Sequence, residues 1–155
     1  MKRVLKIVTI VFAALMFLAS CSSGTKETTT AAEPATVSQT ELRQKYIEEI
    51  RPVLEKNYKD HYEIVENESD IYINIWGDGV AQDATTIKNN PTDENMKVWE
   101  TTKTNMGGLS AEFQKRADSI GYTEDIYFNL LNDLSKDKSL LTYYHGACLF
   151  DAMGN

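Results

Sequence analysis

Residues 70–76 read D-I-Y-I-N-I-W, and residues 125–131 read D-I-Y-F-N-L-L. In both, large apolar side chains recur at a period of two, the repeat of a β-strand with one buried face. Ile71, Ile73 and Ile75 fall on one side of the first copy, with Tyr72, Asn74 and Trp76 on the other. In the second copy Ile126, Phe128 and Leu130 continue the aliphatic side, while Tyr127 and Asn129 match Tyr72 and Asn74. A helical pattern precedes each copy. The pair therefore reads as two central strands of one sheet, in keeping with a decayed α-β duplication.

Working outward, the helix before the first copy has a marked start. Ser38-Gln39-Thr40-Glu41 fits a capping box, with Ser38 as N-cap and Glu41 at N3, and Val37 and Leu42 fit a hydrophobic staple. Leu42, Tyr46, Ile50, Val53, Leu54 and Tyr58 recur at three and four, forming one apolar stripe. Pro52 falls inside it and predicts a kink. Y-E-I-V-E at 62–66, the turn N-E-S and the first copy predict a hairpin, which G-D-G at 77–79 closes.

A short helix is predicted over 80–88. A longer one follows, with Asn90 as N-cap, Pro91 at N1 and Gly121 at C′. Gly107-Gly108 in its middle predicts a kink, a break or a close approach of another backbone, since each interior glycine costs about 1 kcal/mol relative to alanine. Beyond the second copy, N-D-L-S-K-D-K-S at 132–139 reads as a polar loop. In L-L-T-Y-Y-H-G-A-C-L-F, His145-Gly146 is a two-residue hairpin turn between strands. The expected fold is α+β, a two-layer sandwich of order α-β-β-α-β-β-β. A mixed four- or five-stranded sheet carries two main helices on one face.

The N-terminus has a different character. Lys2, Arg3 and Lys6 precede the apolar run Ile7–Leu18, which is shorter than the roughly 20 residues of a membrane-spanning helix. It ends at Leu18-Ala19-Ser20-Cys21, which resembles the lipobox of bacterial lipoproteins. The resemblance covers only this box and the spacer behind it. It implies a signal peptide over 1–20, cleavage before Cys21 and a diacylglycerol on that thiol. The protein would then be anchored on the extracytoplasmic side of a cell membrane, since two acyl chains suffice for stable anchoring. Residues 21–36 hold no large apolar side chain and read as a flexible Thr/Ala/Glu-rich spacer, leaving 37–155 as a single domain.

Removing Lys2, Arg3 and Lys6 with the signal takes the formal charge from −7 to −10. Such a domain is repelled by phosphate backbones, so no nucleic acid partner is expected. Metal and cofactor motifs are lacking: His61 and His145 have no second ligand at helical spacing, and no C-x-x-C occurs. The acidic run from Asp78 to Glu94 lacks the residue order of an EF-hand. Cys148 has no base beside it in sequence and is expected to be a buried small hydrophobe. The one acid pair with a topological rationale is Asp78 with Asp133, each just past the end of its copy. A small envelope hydrolase built on that pair is the alternative reading, as is a purely structural, self-associating surface protein.

The remaining signal is the second face of the repeats. Tyr72, Asn74, Trp76, Tyr127 and Asn129 are expected to line one uncovered sheet face, with Thr142 and Tyr144 of compatible parity. Aromatic rings offer contact area at low entropy cost and amides offer orientation. The expectation is a non-catalytic binding module of the cell envelope, taking a protein, peptide or carbohydrate partner on this face.

Overall fold

The structure, a computed structural model, describes residues 37–154. The expected signal peptide, Cys21 and the expected spacer lie outside the described residues. Eight elements follow one another: α1 (Gln39–Tyr58), β1 (Tyr62–Glu66), β2 (Asp70–Ile75), α2 (Val80–Asn89), α3 (Asp93–Ile120), β3 (Asp125–Asn132), β4 (Ser135–Tyr144) and β5 (Ala147–Asp151). The strands form one five-stranded sheet in the order β1-β2-β3-β4-β5. All neighbours are antiparallel except β2 and β3, which run parallel because α2 and α3 carry the chain back between them. The α+β class and the order of elements follow the sequence expectation, with the short helix present as α2.

The helices bury the aliphatic side of both repeats. Ile71, Ile73 and Ile75 of β2 and Ile126, Phe128 and Leu130 of β3 share one core with Tyr46, Ile50 and Leu54 of α1, Ile87 of α2, and Trp99, Met106 and Phe113 of α3. Phe113 stacks on Phe128 at 5.3 Å between ring centroids, and Tyr46 stacks on Tyr122 at 5.5 Å. Arg43 of α1 ties the helix layer to two loops. It donates to the carbonyls of Asn67 (2.7 Å) and Glu68 (2.8 Å) in the β1–β2 turn and pairs with the carboxylate of Glu124. Tyr122 donates to the same carboxylate oxygen at 2.9 Å.

Several local expectations need correction. The Ser38–Glu41 capping box is present, with Val37 before it 53% exposed. α1 is continuous across Pro52, which lies on its exposed side, so a kink there would not break the helix. α3 is capped by Thr92, whose hydroxyl accepts from the Asn95 N–H at 3.2 Å, so Asn90 and Pro91 precede the helix. Asn90 is instead the last residue reached by α2, its N–H bonded to Thr86 O. The polar run at 132–139 is only partly a loop, because β4 begins at Ser135 and pairs with β3 through an irregular register.

Gly107 resolves to a close approach, not a break. α3 is continuous, and a Cβ on Gly107 would sit 3.1 Å from Gly146 O and 3.2 Å from a Tyr143 ring carbon. The β4–β5 turn thus lies directly on α3, with the Gly146 N–H bonded to Ser110 Oγ at 3.2 Å. Both turn residues, His145 (φ 49°) and Gly146 (φ 80°), are left-handed, as a two-residue turn between right-twisted strands requires.

Candidate functional site

The face of the sheet away from the helices carries the second side of the repeats. β2 and β3 pair residue for residue: Asp70 with Asp125, Tyr72 with Tyr127, and Asn74 with Asn129. In-register copies on parallel neighbours place identical side chains one strand spacing apart, about 4.8 Å. The Tyr72 and Tyr127 rings stack at that separation, 4.9 Å between centroids and 13° between planes. Tyr144 of β4 lies opposite Tyr127 and extends the row, 5.3 Å away at 30°. His145 closes it edge-on against Tyr144 at 4.0 Å.

The row is bounded at one end by Asp70 and Asp125. Tyr144 donates to Asp125 Oδ1 at 2.7 Å, and Tyr72 reaches Asp70 Oδ2 at 3.4 Å. Burial, with the Asp70 charge beside it, pushes the Tyr72 hydroxyl above its ordinary range, and the hydrogen bond to Asp125 does the same for Tyr144. Both hydroxyls therefore stay protonated at neutral pH. Because the stacked rings turn their faces to one another, the row offers edges and hydroxyls outward. A ligand that packs flat on an open ring face, as a sugar does, finds the inner faces of this row already occupied.

The next row is polar but recessed. Asn129 is only 6% exposed, and its Nδ2 donates to Asn74 Oδ1 at 2.8 Å, while its own Oδ1 is buried without a partner. Thr142 pairs with Asn129 from β4. Trp76, expected to stand out on the face, lies just past β2 and is 8% exposed. Lys136 covers it, with Nζ 3.7 Å from the ring centroid, and His61 approaches its edge at 6.2 Å. That cover comes from the start of β4, far away in sequence, so parity alone could not reveal it.

Tyr72, Asn74, Tyr127 and Asn129 thus converge, with Tyr127 at the centre, and Trp76 is withdrawn beneath Lys136. The residues missed from sequence are Asp70 and Asp125. Their signal was present, since each copy begins with Asp.

The acid pair Asp78 and Asp133 has other occupations. Asp133 accepts the Gly79 N–H on Oδ2 and the Ala81 N–H on Oδ1, both at 2.7 Å. It supplies the cap that the Gly79 N-cap lacks and places its charge at the positive end of α2. Asp78 is exposed beside His61, 3.4 Å from Nε2. Cys148, expected to be buried, is exposed, because β5 is an edge strand. Among the described residues no group of three His, Cys, Asp or Glu side chains converges as a metal site, and no helix is long and apolar enough to cross a membrane. A cleft of about 240 Å³ between α2, α3 and the C-terminal turn is lined by Ile87, Met96, Trp99 and Met153 among others. It falls below the size usual for small-molecule sites, roughly 300–1,000 Å³.

Comparisons with protein-family models, with curated proteins and with solved structures returned no match.

Proposed function

We propose that this chain is a lipid-anchored, extracytoplasmic lipoprotein whose domain is a non-catalytic binding module, docking a protein or peptide on the open face of its sheet. The observation that carries the binding reading is the stacked row Tyr72–Tyr127–Tyr144, half-buried, with none of the described helices laid over it. Three ordered rings have already lost their rotamer freedom, so a partner meets a rigid surface. The box Leu18-Ala19-Ser20-Cys21 supports the anchor.

Two measurements test this. Tyr127→Ala is expected to cost about 1–3 kcal/mol of stability, the worth of two aromatic contacts, and to leave the domain folded. It is also expected to abolish capture of the partner that the unaltered chain retains from envelope extract; an unchanged set of captured proteins would remove the face from consideration. For the anchor, labelled fatty acid is expected to enter the full chain and not its Cys21→Ala variant. Equal labelling of the two would sink the lipoprotein reading.

A further inference from the structure

β5 pairs with β4 on one side and with nothing among the described residues on the other. Its first four residues, Ala147, Cys148, Leu149 and Phe150, are all exposed and all uncharged. Leu149 is 58% exposed and Phe150 48%. Exposed sheet edges present unpaired N–H and C=O groups, and proteins ordinarily guard them with charge. The opposite edge is guarded in that way, since β1 carries the exposed carboxylates Glu63 and Glu66. At β5 the only such device is a bulge that makes Leu149 an extra residue, and it sets no charge on the edge.

We propose that β5 is a self-docking edge, at which two copies of this chain pair β5 against β5, antiparallel across a two-fold axis, and join their sheets. For a second copy, the charges single out this edge. The chain carries −7, so most surfaces of two copies repel, and β1 against β1 would oppose carboxylates. β5 against β5 opposes only uncharged residues along Ala147–Phe150, and two-fold pairing makes that patch self-complementary. By its register with Thr142, Phe150 stands on the open face and continues the Asn74–Asn129–Thr142 row, so pairing brings the two phenylalanines to the seam between the two sheets. A five-residue strand is a small contact, well under the roughly 1,200 Å² at which stable interfaces begin. The pair is therefore weak between free molecules and is populated where copies are held at high local concentration, as two chains tethered to one membrane are. That last step rests on anchoring at Cys21; the pairing itself does not, and fatty-acid labelling reads the anchor separately.

The experiment uses the full chain in its own membranes and a short bismaleimide, with Cys148 as the reporter thiol. A covalent dimer is expected, and it should vanish in Cys148→Ser. In the double variant Leu149→Lys, Phe150→Lys it should fall by about tenfold or more, because four added positive charges then crowd one short seam. Both altered positions are exposed, and unchanged thermal midpoints show that the variant still folds. The proposal is overturned by no dimer in the unaltered chain, by a dimer that survives the two lysines, or by an adduct only at another mass, which would assign the edge to a foreign strand.

Discussion

Replacing Arg43 with alanine is expected to lower the unfolding free energy by about 3 kcal/mol, measured by denaturant unfolding. One guanidinium donates to two loop carbonyls, Asn67 O and Glu68 O, and holds the Glu124 carboxylate. Hydrogen bonds with a charged partner contribute roughly 1.5–3 kcal/mol each, and the partly exposed Glu124 recovers some hydration when Arg43 is lost. Arg43→Lys restores little, because an ammonium cannot span three acceptors as a planar fork does. The effect also has a pH signature. Arg43 holds the Glu124 carboxyl below its ordinary range. A depressed folded value contributes stability that is present above the unfolded pKa, near 4.3, and is lost as pH falls through the lower folded value. The acid-side loss of stability is therefore shallower in Arg43→Ala, and an identical acid limb in both proteins would contradict the clamp.

Gly107→Val is expected to cost about 2–3 kcal/mol, and the loss should concentrate in the β4–β5 hairpin. In an isolated helix the change would help, since glycine is a poor helix former. Here the first added carbon already stands 3.1 Å from Gly146 O, and that carbonyl belongs to a turn whose two residues are both left-handed. A flexible side chain could swing away; this backbone cannot without lifting the hairpin off α3. Hydrogen exchange checks the location: faster exchange at Tyr144–Cys148 with β1 and β2 unaffected is the expected pattern. A variant as stable as the parent would mean that the hairpin yields freely.

The site was partly legible before any coordinates. A period-two pattern assigns each side chain to a face whatever the rest of the chain does, so Tyr72, Asn74, Tyr127 and Asn129 fall on one side together. Which of them reaches solvent is a different matter. Exposure depends on what lies across the strand, and for Trp76 the cover is Lys136, sixty residues on. Asn129 is sunk between neighbours on both sides and bonds to its own copy, Asn74. Cys148 erred in the other direction: an apolar run such as A-C-L-F resembles a core strand, and only its position at the sheet edge leaves it exposed. Asp133 looked like half of an acid pair until the fold set it against the start of α2.

By itself the sequence determined the order of helices and strands, the capping box of α1, the hairpin turn at His145-Gly146 and the inward set of each repeat. These depend on dihedral preference and on side-chain period, which act over a few residues. Only the tertiary structure decided that the two D-I-Y copies lie side by side in parallel register. A register is a relation between segments more than fifty residues apart, and no local preference encodes it. That register turns a repeated word into a row of stacked rings: one strand spacing is also the distance at which two tyrosines stack.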